Sequence, residues 1–328
     1  MESRIKDQPD NIELINTLAI TKMELGDNEG ALLLFKRAVE INPTEQALNN
    51  LGYFYLKEGE LIKGRWFYQE KKAIKVLEKA ILKTPKSHIP FSLLGEAYLK
   101  VECFQSAEKV LRQAVEILET VANQNNLGVA LFEQNQYEEA LNWFLKAHKL
   151  APSKDYSYYP YINAGISLGE LNRFSEVEAI ERYMINSNTS DDFILDIARM
   201  FYLLKNYQRT AELYSEAFSS YVVTLEDYGL YIQSLYNLGR LNEVEHFVNK
   251  LIKELSEEID EIKEDPDFDI KTRSQRKRFI KKQIIQFQKL YQSILTGTEF
   301  CAKYHPYHEE QCYLFGCKRH NIPYQLNS

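Results

Sequence analysis

A pattern of small and large apolar residues recurs in register along this chain, from about residue 10 to residue 252. It is clearest in "VANQNNLGVALFEQNQYEEALNWFLKAHKLAP", which runs from Val121 to Pro152. Leu127, Ala130 and Leu131, and then Ala140, Leu141, Phe144 and Ala147, follow helical spacing in two short helices. Asn135 lies between them, where the chain must turn, and Pro152 ends the second helix. Gly128 and Ala140 are small, which lets two helix backbones approach closely. A unit this short leans on its neighbours for burial, so the chain is expected to stack its units rather than wrap them around one centre.

The frame returns with Leu18, Ala19, Gly26, Ala31, Phe35, Ala38 and Pro43, with Leu51, Gly52, Tyr55 and Gly59, and with Leu94, Gly95, Tyr98, Ala107, Leu111 and Ala114. Weaker copies carry Gly165, Leu168, Phe174 and Val177, then Ile197, Ala198, Phe201, Tyr207, Tyr214 and Ala217, then Tyr228, Leu235, Gly239, Val244, Val248 and Leu251. In the second copy the small residue expected near position 64 comes instead at Ala73, so residues 60–72 hold an insertion. It is expected to lengthen the hairpin helices, with Trp66, Phe67 and Tyr68 packed inside. These positions closely resemble the tetratricopeptide repeat. The resemblance implies an all-α, right-handed superhelical solenoid of about seven helix pairs over residues 10–252.

Beyond the repeats, Val248, Leu251, Ile252, Leu255, Ile259 and Ile262 trace one helical face, so the last repeat helix is expected to continue to about Glu264. "DPDFD" breaks it. A second helix follows, with Ile280, Ile284, Phe287, Tyr291, Ile294 and Leu295 on its apolar face and Gly297 at its end. Residues 253–296 therefore read as a cap on the array, between a polar tail at 1–9 and a Cys/His-rich tail at 297–328. Nine acidic residues lie between Glu254 and Asp269, and seven basic ones between Lys271 and Lys282. Antiparallel helices would pair these charges, each exposed pair contributing about 0–1 kcal/mol. The alternative is a phosphate-binding patch of Arg273, Arg276, Lys277, Arg278, Lys281 and Lys282.

The last tail, "CAKYHPYHEEQCYLFGCKRH", holds three of the four cysteines and three of the six histidines. Cys301, Cys312, Cys317 and His320 offer the thiolate and imidazole donors that zinc prefers in a tetrahedron, with His305 and His308 as alternatives. The set faintly resembles three-cysteine, one-histidine zinc fingers. One structural zinc would hold a tail too short to bury much core. The competing account is a metal-free tail whose Tyr304, Tyr307, Tyr313, Leu314 and Phe315 pack on the capping helix.

In tetratricopeptide arrays the first helix of each pair lines a concave groove that binds peptide segments. The resemblance places Asn16, Asn49, Asn50, Asn125, Asn126 and Asn163 on that face, with Arg199 as the charged groove residue further on. An asparagine amide offers donors and an acceptor, so it can satisfy an extended backbone without reading side chains. The lysine and arginine pattern of chaperone-tail binders is missing: the third repeat has Ser92, Leu93 and Glu96. No catalytic constellation stands out. "GELIKGRW" lacks the lysine and hydroxyl residue of a phosphate loop, and "HEEQC" lacks the second histidine of a zinc protease.

The expected function is thus a non-enzymatic adaptor that holds a partner peptide or helix in its groove. The alternatives are an RNA-binding factor using the basic helix 271–282 and the tail, and a sensor of a short signalling peptide. A net charge of -7 argues against general nucleic-acid coating. "MESRIKDQPD" lacks the apolar segment of an export signal and no long apolar run is present, so the expectation is a cytoplasmic chain without membrane contact.

Overall fold

Several helices begin where the sequence supplies a side-chain cap. Asn11 accepts from the Leu14 amide, Asp27 from Gly30, Thr44 from Ala47, Thr120 from Asn123 and Asn206 from Arg209. The computed structural model describes residues 8–83, 85–151, 158–186, 193–218, 224–264, 270–297, 306–320 and 322–323. Its helices are α1 (Ile12–Glu24), α2 (Asn28–Ile41), α3 (Glu45–Lys57), α4 (Glu70–Ile81), α5 (Ile89–Lys100), α6 (Phe104–Ile117), α7 (Val121–Phe132) and α8 (Tyr137–Leu150). They continue as α9 (Tyr159–Glu170), α10 (Phe174–Asn186), α11 (Phe193–Leu203), α12 (Tyr207–Ala217), α13 (Leu225–Asn237), α14 (Leu241–Glu264) and α15 (Ile270–Leu295). Consecutive helices pack on one another from α1 to α8 and again from α11 to α15, and the fold is an all-α solenoid.

Two compact units divide the chain. The first comprises residues 1–167 and 305–328, the second residues 168–304.

In the first unit the repeated glycine is a seat for a large side chain of the paired helix. A Cβ on Gly52 would lie 2.6 Å from Leu77, one on Gly95 2.5 Å from Leu111, and one on Gly128 2.6 Å from the Phe144 ring. Ala73, Ala107 and Ala140 on the second helices are fully buried. Small residues on one helix thus admit large ones from the other, repeat after repeat. Between the helices of a pair one residue takes a left-handed backbone: Gly26 at φ 80°, Glu102 at 58° and Asn135 at 61°. Asn135 is therefore the turn residue that the spacing places there.

The insertion does not lengthen helices. It forms a hairpin of β1 (Glu60–Ile62) and β2 (Arg65–Phe67), antiparallel, with Leu61 opposite Trp66. Lys63 and Gly64 both have positive φ, 51° and 77°, as a two-residue turn between twisted strands requires. Glu60 anchors the hairpin to Lys36 and Lys72. The expected internal packing of the aromatic residues is also corrected. Trp66 touches Phe54 edge-on, yet it is 37% exposed, Phe67 49% and Tyr68 64%. The ribbon meets α2 through β1, and every residue of β2 is exposed.

In the second unit α14 runs unbroken to Glu264, and α15 lies against α13 and α14. Ile232, Leu235, Val244, Val248, Leu251, Phe287 and Ile294 form its core. Leu295, expected on the apolar face, is 40% exposed near the helix end. An aromatic group of Phe218, Tyr228, Tyr231 and Phe247 fills the space between α12, α13 and α14.

Candidate functional site

The first helices α1, α3, α5, α7 and α9 carry their polar residues on one face, and several of these are fully buried. Asn49, Asn50, Asn125 and Asn163 have no exposed surface, and Asn16 and Asn126 have almost none. Burying so many amides needs partners for each. For five of these six the partner is the chain's own C-terminal tail, laid along the first unit's groove in extended form.

Three asparagines each hold both backbone groups of one tail residue. Asn50 Nδ2 donates to the Phe315 carbonyl at 2.8 Å, and the Phe315 amide donates to Asn50 Oδ1 at 2.8 Å. Asn126 does the same for Glu309, at 2.9 and 2.7 Å. Asn163 does so for Tyr307, at 2.9 and 3.0 Å. Asn49 adds a bond to the Tyr313 carbonyl at 2.6 Å, and Asn125 one to the Tyr307 carbonyl at 2.8 Å. The gripped residues are 307, 309, 313 and 315, so alternate residues turn their backbone groups the same way, as in a strand. Asn16 accepts from Asn50 Nδ2 at 3.3 Å and orients it. The tail runs from α9 towards α3, antiparallel to the order of the repeats.

Side chains fix the register. Tyr307 stacks on Tyr159 with ring centroids 4.5 Å apart. Tyr313, Leu314 and Cys317 are buried in the apolar cluster of α1 to α6. Glu310 reaches Lys57 at 2.9 Å and Lys100 at 2.7 Å. Lys57 and Lys100 end α3 and α5, where the helix dipole favours a cation. Lys57 also pairs with the fully buried Glu96. The hydrogen bond from His308, then those from Lys100 and Lys57, hold the Glu310 carboxyl far below the usual range against the opposing effect of burial. Burial, by contrast, raises Glu96, although Lys57 and Lys100 oppose it. Beside the tail, Ser92 donates to Asn123 Oδ1 at 2.6 Å, and Asn123 lies 3.2 Å from His88 Nδ1. Burial lowers the His88 pKa, which favours a neutral ring.

The tail therefore lies on the repeat groove, and the expectation of a tail docked on the capping helix is corrected. The groove asparagines take up the tail's backbone groups. Among the expected metal ligands, Cys312, Cys317 and His320 come together, with all donor atoms within 4.8 Å of one another. Cys301 and His305 lie outside the described residues. Arg199 belongs to the second unit, where it pairs with Asp196 at 3.0 Å and with the buried Asp227 at 2.8 Å. It braces α11 against α13 there. On α15, Arg276 pairs with Glu258 of α14 at 2.8 Å, and Arg278, Lys281 and Lys282 face water, with Arg273 and Lys277 half-buried. Lys57 and Lys100 were missed by sequence reasoning. Their shared place at the last turn of successive first helices was the available signal.

Family patterns described as tetratricopeptide repeat match residues 12–45 and 124–154. No curated protein matches the sequence. Among solved structures, a tetratricopeptide repeat protein from Parabacteroides merdae is similar over 84% of this chain and 98% of its own, with a TM-score of 0.58 and 15% identity. The APC/C hetero-tetramer Cut9-Hcn1 is similar over 71% of this chain and 45% of its own, with a TM-score of 0.53 and 16% identity. At such identities the likeness concerns the fold.

Proposed function

The chain belongs to the tetratricopeptide-repeat family, and on that premise we propose that it is an adaptor whose groove takes extended peptide segments, with its own tail as resident occupant. The observation that carries this reading is the paired hydrogen bonding of Asn50, Asn126 and Asn163 to single tail residues. Such contacts recognise backbone, so a partner segment in the same extended form meets the same donors and acceptors. Lys57 and Lys100 add a demand for a carboxylate one residue beyond the Asn126 grip.

On this reading residues 10–252 are the array and 253–296 the cap. A sensor of a short signalling peptide would use the same asparagines. The pairing of Arg276 with Glu258 favours a structural over a nucleic-acid role for the basic helix. A zinc ion in the tail would be a fastener here. Scaffolds of this family and fold are typically non-enzymatic. Among the described residues no helix is long and apolar enough to cross a membrane, and a cytoplasmic setting is part of the proposal.

The test uses a chain ending before residue 306, with helicity checked by circular dichroism, and a fluorescent peptide copying residues 306–320. The shortened chain is expected to bind the peptide, and the same chain with Asn50→Ala and Asn126→Ala to bind it at least about 30-fold more weakly. A helical shortened chain that ignores the peptide would refute the groove reading.

A further inference from the structure

Beyond the asparagine contacts, the tail closes on itself at its end. Gly316 has φ 87°, its amide donates to the Ile322 carbonyl at 2.9 Å, and the Ile322 amide donates back to Cys317 at 3.0 Å. The Cys317 amide donates to Leu314 at 3.2 Å. This small knuckle turns His320 back so that its Nδ1 lies 3.2 Å from Cys317 Sγ. Cys312 precedes the buried run Tyr313–Phe315 and brings its thiol to the same place. We propose that Cys312, Cys317 and His320 bind one thiolate-preferring metal ion of the zinc class, which staples the two ends of this run together.

The geometry suits such an ion. Bonds of about 2.3 Å to sulfur and about 2.0 Å to nitrogen in a tetrahedron put donor atoms roughly 3.4–3.8 Å apart. All three donor atoms here lie within 4.8 Å of one another. Two sulfurs and an imidazole select zinc, cobalt or another soft ion over magnesium or calcium. Cys317 is buried and Cys312 half-buried, so the thiols are shielded. Cys312 and His320 also line a cavity of about 480 Å³ with His88, Thr120 and Glu310, which leaves room for a fourth ligand. The second cluster of possible ligands, Glu96, His308 and Glu310, carries no such proposal, because Lys57 and Lys100 already occupy the cation's place between its carboxylates. The metal site stands on the tail's own geometry, whether or not a partner uses the groove.

The full chain, untagged and reduced, is reconstituted with zinc, desalted and measured by elemental analysis. About one zinc per chain is expected. Cobalt in its place is expected to give the intense visible bands of a tetrahedral thiolate site. Cys312→Ser and His320→Ala, at half-buried and exposed positions, are each expected to lower retained metal at least about tenfold while helicity is unchanged. A reduced wild-type chain that retains less than about a tenth of an equivalent overturns the proposal. So does one equivalent that neither variant lowers, because the metal would then sit elsewhere. The Asn50→Ala and Asn126→Ala variants serve as the contrast. Peptide binding that fails while zinc remains, or the reverse, separates the groove reading from the metal site.

Discussion

Replacing Asn50 with alanine removes the two hydrogen bonds that hold Phe315, each 2.8 Å long. Asn50 is fully buried and Phe315 is 4% exposed, so water cannot readily take the place of the amide. Two lost bonds at about 1 kcal/mol each, plus part of the cost of leaving a buried N–H and C=O unpaired, amount to roughly 2–4 kcal/mol against docking. That is roughly a 30- to 1000-fold shift toward the undocked tail. Hydrogen exchange at the Phe315 amide reads this directly, because its protection tracks local opening. The Asn163→Ala variant supplies an internal scale. It also loses two bonds, but Asn125 still donates to the Tyr307 carbonyl at 2.8 Å, so only one tail group is orphaned. Its effect is expected near 1–2 kcal/mol, smaller than that of Asn50→Ala. Helicity in both variants serves as the control for the array itself. Protection at Phe315 that falls by less than about threefold in Asn50→Ala, with helicity intact, would refute the argument that these amides hold the tail.

The remaining predictions concern charge, packing and backbone. The Glu310 pKa is lowered from 4.5 in the docked state, so its contribution is fully present above about pH 4.5 and is lost as the pH falls below that value. Tail protection should weaken in that acid range, with Lys57, Lys100, His308 and the oppositely shifted Glu96 as the facing groups. Glu310→Gln should flatten this limb of the profile, and an unchanged profile would discount the lysine pair. Gly128→Ala puts a methyl 2.6 Å from the Phe144 ring and should lower stability by about 1–3 kcal/mol, seen in thermal unfolding. Lys205 has φ 56° at a helix–helix turn, and Lys205→Gly should raise stability by about 0.5–1 kcal/mol in the same measurement.

The helix pairs were legible because each repeat states its packing locally. Gly128 and Phe144, or Gly95 and Leu111, are the two halves of one contact, and both lie within a single repeat. The polar face was legible for the same reason, since paired asparagines recur at one helical position. Its occupant was not. Tyr313 meets Asn49 and Phe315 meets Asn50 across more than 260 positions of sequence, and an extended segment shows no helical periodicity to announce it. The hairpin was misread from context: "ELIKGRWF" has a Lys–Gly turn between apolar ends, but helical repeats on both sides favoured a longer helix. The acceptors of Arg199, Asp196 and Asp227, come from one helix turn away and from the next repeat. Only the fold brings Asp227 to it.

A tethered occupant changes what the groove measures. The tail is joined to the groove it fills, so it competes at an effective concentration that can reach the millimolar range, however dilute the protein is. If the docked form exceeds the open form by about 100 to 1, an incoming segment of micromolar intrinsic affinity binds with an apparent constant near 100 μM. On the adaptor reading proposed above, the groove then ignores passing peptides of modest fit. It answers to segments that are locally abundant, that come joined to a second contact, or that match the grip at Tyr307, Glu309 and Phe315 better than the tail does. The paired asparagines thus set a threshold as well as a shape, and the height of that threshold is adjustable through single tail residues without altering the helices beneath.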